Sequence, residues 1–275
     1  PRTANSHLRL PPHGRQPTHP KHIRNMIHVG ITGGDGYAAG ELIRLLINHP
    51  DTEIAFVHST RHAGRRVDSL HPGLKGETDL AFTAQLPAEE ADVLFLCDRR
   101  TGSGQALHTA CTGPLATCVL LGLLPLAKNM LLGTDVTAFV LTAATETAET
   151  RPQAGRYDWR TDNAAVYQAF VHPECEEVTR VLQSTQLSFQ SSVHLVPCHG
   201  NFARGIYATL LTHTRVALDE IVPLYRDYYA RDSFTHLSPD PVDLKQVAGT
   251  NKCLLHLQKD GDRLLVTSAI DNLLK

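Results

Sequence analysis

The most informative residues near the start of the chain form the segment GGDGYAA, which begins at Gly33. Gly33 permits a tight turn, Gly36 lets a phosphate group approach the backbone, and the small Ala39 lets the following helix pack closely. The positive N-terminal end of such a helix attracts phosphate. We therefore predict a dinucleotide-binding turn that also includes Gly34 and Tyr37. An ordinary tight turn between a strand and a helix is the alternative.

A second polar segment, STRHAGRR, begins at Ser59, where the next predicted strand ends. Enzymes that use NAD usually carry an acid here, about 20 residues after the glycine turn, to bind the ribose hydroxyls. This segment has no acid, and its hydroxyl and guanidinium groups suit the additional phosphate of NADP. We therefore predict that Ser59, Thr60, Arg61 and Arg65 bind NADP, against the alternative of a solvated basic loop.

Two further candidates lie in the second half of the chain. His172 comes just before a predicted helix whose first turn holds Glu174 and Cys175. A Cys/His nucleophile pair and a partial metal site are both disfavoured, because too few ligands converge for zinc and no oxyanion turn surrounds the cysteine. Arg204 opens a predicted strand, where either an anion contact or a surface salt bridge would suit it.

The elements that hold the glycine turn are predicted from hydrophobic periodicity. IHVGIT from Ile27 is typical of a buried strand, an apolar helical period follows as far as Ile47, and EIAFVH from Glu53 indicates a second strand. Such a unit places its two strands in parallel. DVLFLC at 92–97 continues the alternation, which predicts an α/β fold with a Rossmann-like, doubly wound parallel sheet.

The remainder of the chain predicts a second, mixed α+β lobe. A loop containing Pro197 is expected before Arg204. The predicted elements are a helix near 115–132, a strand at 135–142, a helix near 173–186, a strand and helix within 204–230, and two final strands, KCLLHL and DRLLVTSAI, joined by a turn.

These patterns divide the chain into four predicted parts. The first 25 residues are rich in proline, histidine and arginine and contain no acid, which is typical of disorder. The predicted parts are a disordered tail at 1–25, a shortened NADP-binding domain at 26–112, a substrate and dimerisation domain at 113–262, and a terminal segment at 263–275.

Composition disfavours several classes of function. The formal net charge of -2 provides no field that would gather nucleic acid or an anionic membrane surface. The most apolar run, from Cys118 to Ala127, is far shorter than the roughly 20 residues of a membrane-spanning helix. The six cysteines include no CxxC pair and follow no secretory signal, so we expect free thiols and a cytoplasmic location. The expected partner is a small-molecule substrate, without nucleic acid, membrane or metal.

Several segments, in their order along the chain, resemble the N-acetyl-gamma-glutamyl-phosphate reductases, which are NADP-dependent enzymes of arginine synthesis. The resemblance covers most of 26–275 and implies a Rossmann-like domain, a second domain for substrate binding and dimerisation, a homo-oligomer, and a cofactor contact at Asn251. The segments are VGITGGDGYAAGELIRLLINHP, EIAFVHSTRHAG, LATCVLLGLLPLAKNMLL, YDWR, VYQAFVH, PCHGNFARGIYATL, DLKQVAGTNKCLLHL and LLVTSAIDNLLK.

The resemblance also implies a reaction. In that family a cysteine thiolate attacks the acyl phosphate, phosphate leaves, and hydride from NADPH reduces the thioester, which collapses to the semialdehyde. A histidine acts as acid and base, and arginines hold the substrate. The resemblance places His172 at the acid–base position, Arg204 at a substrate arginine and Pro114 at the nucleophile. Proline has no nucleophilic side chain.

Other departures from the family lie near the same site. Glu174 stands where the family has a second histidine, and several tens of residues are missing between Cys97 and Cys111. Cys118 lies one helical turn beyond Pro114, about 6 Å deeper, which makes it a poor substitute nucleophile. The alternative functions are a catalytically inactive NADP-binding or partner-binding homologue and a decayed gene product.

Overall fold

The first lobe is built on a parallel sheet of five short strands. A computed structural model describes residues 26–97, 108–110, 113–146 and 161–275, so the predicted tail at 1–25 lies outside the described residues. The strands are β1 (Ile27–Thr32), β2 (Thr52–His58), β3 (Phe82–Thr83), β4 (Val93–Leu96) and β5 (His108–Ala110). Their order is β3-β2-β1-β4-β5, and every pair is parallel. The winding reverses at β1, as the predicted doubly wound fold requires.

Helix α1 (Tyr37–Leu46) covers this sheet beside β1. Ala39 and Ile43 are fully buried and pack with Ile31 and Val57 in one apolar cluster. The last four residues of β1 are all buried, which is the pattern of a parallel strand covered on both faces. The packing holds the start of α1 at the carboxyl end of β1.

The second lobe is a seven-stranded mixed sheet with helices on one face. Its order is β10-β11-β12-β9-β6-β8-β7. The strands are β6 (Val136–Thr142), β7 (Ala165–Val166), β8 (Val193–His199), β9 (Ile206–His213), β10 (Thr235–Leu237), β11 (Cys253–Asp260) and β12 (Arg263–Ile270), and the helices are α2 (Pro114–Lys128), α3 (Glu174–Thr185) and α4 (Leu218–Tyr228). The side chains of Phe139 and Leu211 point to the other face, where they are 40% and 38% exposed.

Helix α2 lies at the centre of the second core. Pro125 lies inside this helix and has no N–H to donate to the carbonyl of Leu121, four residues earlier. The hydroxyl of Tyr229 donates to that carbonyl at 2.6 Å, and Tyr225 donates to the next carbonyl, that of Gly122, at the same distance. Two tyrosines at the end of α4 therefore supply hydrogen bonds to α2 where the proline disturbs it.

The predicted elements of this lobe are present, with three differences. The predicted loop around Pro197 is wrong, because Pro197 lies within β8. Its missing N–H is tolerated because only the two-residue β7 lies outside β8, and the Pro197 carbonyl still accepts a bond from Tyr167. Helix α2 ends at Lys128 rather than near residue 132, and Met130 follows with a φ of 57°. Strand β12, placed in the predicted terminal segment, pairs with β9 and β11 inside the sheet.

In the part of the chain that the structure describes, every helix is too short or too polar to cross a membrane.

Replacing Tyr229 with phenylalanine tests whether the hydrogen bond from its hydroxyl to the Leu121 carbonyl stabilises α2. The Tyr229→Phe variant leaves the partly buried Leu121 carbonyl without this partner, so we expect the free energy of unfolding in urea to fall by about 1 to 2 kcal/mol. Tyr228, which is 39% exposed, is the matched control, and Tyr228→Phe should change the value by less than about 0.5 kcal/mol. Equal losses in the two variants would contradict this account of α2.

Candidate functional site

The glycine turn between β1 and α1 is fixed to its surroundings. Gly33 has a φ of 63°, which residues with a side chain rarely adopt. The amide of Gly34 donates to the His58 carbonyl at 2.9 Å, and Nε2 of His71 lies 2.7 Å from the Gly34 carbonyl. A Cβ atom on Gly34 would come within 2.3 Å of Val57 Cγ1. Both positions therefore require glycine.

Gly36 starts α1 and leaves space above the end of the helix. Its φ of -81° is ordinary for any residue, and its amide donates to the Gly33 carbonyl at 3.1 Å. A Cβ atom there would meet only the Gly33 carbonyl oxygen, at 3.5 Å. Ala39 is fully buried, as its proposed role in close packing requires, and Tyr37 is 57% exposed. The turn has the open backbone and helix end that fit a pyrophosphate.

The segment after β2 lies beside this turn. Ser59 is buried, and its amide donates to the Thr83 carbonyl at 3.0 Å, while Thr60 and Arg65 are exposed. The guanidinium of Arg61 lies 2.8 Å from the carboxylate of Asp35, inside the glycine turn. Sequence reasoning missed this pair. An acid within a phosphate-binding turn was the available signal, since such an acid needs a cation nearby.

Arg204 joins the two lobes. Its Nε and Nη2 lie 2.7 and 3.3 Å from the two carboxylate oxygens of Asp271, which is fully buried. Its Nη1 donates to Glu41 of α1 at 3.0 Å, and Glu41 also accepts from Arg44. The salt bridge that sequence analysis weighed at Arg204 is therefore present, and it lies between the lobes. Asp271 and Glu41 carry no pattern that sequence analysis detected.

The candidate acid–base residue lies in a group of aromatic rings. His172 is buried, and its Nδ1 lies 3.3 Å from the amide of Glu174, which donates to it. The ring of Tyr167 meets His172 edge-on at 5.9 Å and stacks on His199 at 4.1 Å. The Tyr167 hydroxyl lies 3.0 Å from Oγ1 of Thr142. Tyr167 and His199 are residues that sequence analysis did not select.

The first turn of α2 contacts the first turn of α3. Pro114 is the first residue of α2 and is half-buried. The carboxylate of Glu174, whose residue is 2% exposed, accepts from the Ala116 amide at 2.7 Å. The carboxylate of Glu177 accepts from the Gly113 amide at 3.4 Å. Two acids of α3 therefore cap the helix on which the predicted nucleophile position lies.

The surroundings of Cys118, Cys175 and Cys253 indicate structural roles for these three thiols. Cys118 is fully buried, its Sγ lies 3.4 Å from the Ser268 carbonyl and hydroxyl oxygens, and burial raises the pKa of this thiol well above its usual range. Burial likewise raises the pKa of Cys253 to about 12. Cys175 donates to the Val193 carbonyl at 3.2 Å. Neither buried thiol forms a thiolate near neutral pH, and Cys111 lies outside the described residues.

Among the described residues, no cluster of histidine, cysteine and acidic side chains has the arrangement of a metal site. This applies to the group around Cys175 that sequence analysis weighed.

Arg204 and the aromatic group lie near the place where the two lobes meet. Thr142, the last residue of β6, pairs with His199 of β8 on one side and with Ile206 of β9 on the other. Arg204 and the aromatic group therefore lie at the same end of these three strands. The contact from Glu41 places α1, and with it the glycine turn, against that end. Asn251 is exposed near the same end, two residues after Gly249, whose amide donates to Asp271 at 2.7 Å.

Two protein-family models match consecutive parts of the chain. Residues 28–112 match the semialdehyde dehydrogenase NAD binding domain, and residues 115–272 match the semialdehyde dehydrogenase dimerisation domain. Together these two matches cover both lobes of the structure.

Curated relatives match over nearly the whole chain. The chain is 44% identical to the N-acetyl-gamma-glutamyl-phosphate reductases of Bacteroides fragilis and Bacteroides thetaiotaomicron and 42% identical to that of Phocaeicola vulgatus, covering 91% of this chain and 91% of each relative. These alignments are 293 positions long, more than the 275 residues of the whole chain, so the relatives contain residues that have no counterpart here.

Solved structures of similar fold are more distant in sequence. Aspartate semialdehyde dehydrogenase II of Vibrio cholerae, complexed with ASA, has a TM-score of 0.65 at 10% identity and covers 90% of this chain and 94% of its own. Aspartate semialdehyde dehydrogenase of Candida albicans, with NADP, has a TM-score of 0.64 at 13% identity, with the same coverage of both chains. This likeness shows the fold, which confirms the predicted Rossmann-like lobe with a second mixed lobe.

Gly36→Arg tests the position of the cofactor turn. Because Gly36 has an ordinary backbone conformation and open space, we expect this variant to fold and its long side chain to fill the space above α1. Binding of a nicotinamide dinucleotide, measured by fluorescence titration, should fall below detection. His172→Ala is the control and should leave that affinity unchanged. Equal loss in both variants would mean that the sites are misplaced.

Glu41→Gln tests the contact between the lobes through its pH dependence. Burial raises the pKa of Glu41, but the hydrogen bonds from Arg204 and Arg44 outweigh it and hold the pKa below its usual value. The ion pair therefore stabilises the fold above about pH 4 and is lost as the pH falls through the lowered pKa. In urea unfolding, Glu41→Gln should be less stable than the parent at neutral pH, with the gap closing in acid. A gap that is constant with pH, or one shared by the exposed control Glu77→Gln, would contradict this assignment.

Proposed function

The chain belongs to the N-acetyl-gamma-glutamyl-phosphate reductase family of semialdehyde dehydrogenases, and from this we propose that it reduces N-acetyl-gamma-glutamyl phosphate to the semialdehyde, a step of arginine synthesis. The identity of 44% across both lobes carries the proposal. The contact of Arg204 with Glu41 supports it, because this contact joins the helix of the glycine turn to the second lobe, and the reaction needs cofactor and substrate sites side by side. We place this biosynthetic activity in the cytoplasm.

We propose NADP as the cofactor, which when bound supplies the hydride. The turn of Gly33, Gly34 and Gly36 would let the pyrophosphate approach the start of α1, and the open space at Gly36 fits that group. The side chains after β2 would hold the 2′-phosphate: the buried Ser59, the exposed Thr60 and Arg65, and Arg61. Arg61 already pairs with Asp35, so the phosphate would share the guanidinium with this carboxylate or take it over.

We propose that His172 donates and accepts the proton of the reaction through Nε2. Its Nδ1 accepts the amide hydrogen of Glu174, so in the neutral ring the proton is on Nε2. The edge-on ring of Tyr167 fixes the plane of the imidazole. A fixed ring keeps the donating nitrogen aimed in one direction, which proton transfer to a bound substrate requires.

We propose that Arg204 binds the substrate's anionic group while Asp271 orients it. The two bonds to Asp271 fix the plane of the guanidinium and leave Nη1 as the group that faces α1. Glu41 accepts from Nη1 in this structure. A substrate carboxylate would exchange with Glu41 at that nitrogen, so substrate binding would change the contact between the lobes.

Pro114 leaves the proposed reaction without a nucleophile at residue 114. A proline side chain forms no covalent bond to an acyl group, and the buried thiol of Cys118 cannot ionise to replace it. Residue 114 therefore cannot accept the acyl group in this chain. Any turnover would come from another nucleophile or from slow direct reduction of the acyl phosphate.

We propose that the chain forms a homo-oligomer through the open face of the second sheet. Phe139 and Leu211 are large apolar residues on that face, on neighbouring strands, and both are more than a third exposed. Thr137 pairs directly with Leu211, so the face is continuous across the two strands. The match of residues 115–272 to a dimerisation domain supports this face as the contact.

Pro114→Cys tests the proposed function. With NADPH and the acyl phosphate, we expect the rate of NADPH oxidation to rise by about 100-fold or more over the parent, because a nucleophile returns to the start of α2. Pro114→Ala is the matched control, since it removes the ring without adding a thiol, and it should stay at the parent's rate. A parent as fast as Pro114→Cys would overturn the role given to residue 114. NADPH binding without turnover in any variant would indicate a silent cofactor-binding protein.

Leu211→Glu tests the oligomer. A buried charge at the centre of the face should separate the subunits, and the mass measured by light scattering should fall to that of one chain. Leu187 is 85% exposed and lies outside the sheet, so Leu187→Glu should leave the mass unchanged. A parent that is already monomeric, or a Leu211→Glu variant of unchanged mass, would refute the proposed contact.

A further inference from the structure

Backbone amides at the start of α2 are hydrogen-bonded to acidic side chains of α3. The Ala116 amide donates to Glu174 at 2.7 Å and the Gly113 amide donates to Glu177 at 3.4 Å. Pro114, between them, has no N–H at all. A helix start has free amides that attract anions, and here two carboxylates already take that place.

The Glu174 carboxylate lies very close to the backbone at this point. A Cβ atom added to Gly113 would lie 2.1 Å from Glu174 Cδ, so any side chain at the position before Pro114 would force the Glu174 carboxylate to move. Glu174 is 2% exposed, and α3 is held in place by the apolar contacts of Val178 and Leu182 with the main core. The carboxylate is thus held within the first turn of α2.

We propose that Glu174 is a second determinant, with Pro114, of reactivity at the start of α2, because its carboxylate lies beside the position at which a thiolate and an anionic acyl phosphate would react. The inference rests on the proposed function in assigning the reaction to this helix end. It adds that a thiol at residue 114 alone is not fully active, since the carboxylate opposes both the thiolate and the negative charge that develops on the substrate.

The surroundings of residue 114 support a dominant effect of Glu174. Among the described residues, the acids of α3 that bond to the backbone of this turn are Glu174 and Glu177, and His172 bonds to the Glu174 amide. Glu177 bonds at the longer distance, and the residue is only partly buried. A buried charge is screened less by water than an exposed one, so Glu174 should act most strongly on a neighbouring thiol.

The test measures thiol reactivity without substrate or cofactor. Three full-length variants are compared: Pro114→Cys alone, and the same change combined with Glu174→Gln or with Glu176→Gln. Glutamine can still accept the Ala116 hydrogen bond, so the first combination removes the charge and keeps the fold. Glu176 is exposed in the same turn of α3 and provides the matched control. Iodoacetamide labelling of residue 114 is followed by peptide mass spectrometry across the pH range from acid to alkaline.

We expect Glu174→Gln to lower the pKa of the new thiol by one unit or more, with labelling about tenfold faster near pH 7. Glu176→Gln should leave the labelling profile nearly unchanged. Equal labelling of Pro114→Cys with and without Glu174→Gln would overturn the inference, as would an equal effect of Glu176→Gln. Failure of the proposed function is distinguishable, because it would appear as absent NADPH oxidation in variants whose thiol reactivity changes as expected.

Discussion

The hydrogen bond from the Ala116 amide to the buried carboxylate of Glu174 fixes how α3 meets α2. Helix α2 is nearly all apolar and lies against the centre of the larger sheet, so its first turn has little access to water. Free amides in such a place need acceptors from the protein. The two acids of α3 supply them, and the glycine before Pro114 makes room for one of them. The first turn of α2 therefore serves packing and chemistry together, and a change in either affects the other.

The two lobes differ, at the place where they meet, in how closely they fit the family's reaction. The glycine turn keeps its left-handed Gly33, its anchored Gly34 and the open space at Gly36, which together suit a dinucleotide. At the proposed substrate side, Pro114 stands where we infer that the reaction needs a thiol, and the Glu174 carboxylate lies beside it. Arg204 connects the two sides through Glu41 and Asp271. This chain thus combines a glycine turn that suits a dinucleotide with a helix start whose amides are bonded to carboxylates of the same chain.

The elements and the conformation of the glycine turn could be predicted because they rest on local patterns. Strand β1, helix α1 and strand β2 follow directly from apolar periodicity and from glycines whose turn geometry has few alternatives. Strand β8 was missed because Pro197 is a local signal against a strand, while its place next to the sheet's edge is decided by distant residues. The pairing of Arg204 with Asp271 joins positions 67 residues apart and has no periodic signature. The bond from Ala116 to Glu174 likewise could not be predicted from local patterns, since the two residues are 58 positions apart in the sequence.

The most direct test of this account is mass spectrometry of intact protein after incubation with N-acetyl-gamma-glutamyl phosphate and no cofactor. The parent is compared with a variant that carries both Pro114→Cys and Glu174→Gln. The account predicts one acyl group on the variant, attached at residue 114 and released by hydroxylamine as a thioester is, and none on the parent. An acyl group on the parent would show that another nucleophile acts in this chain. A folded variant that stays unmodified would show that the start of α2 is not where the reaction takes place.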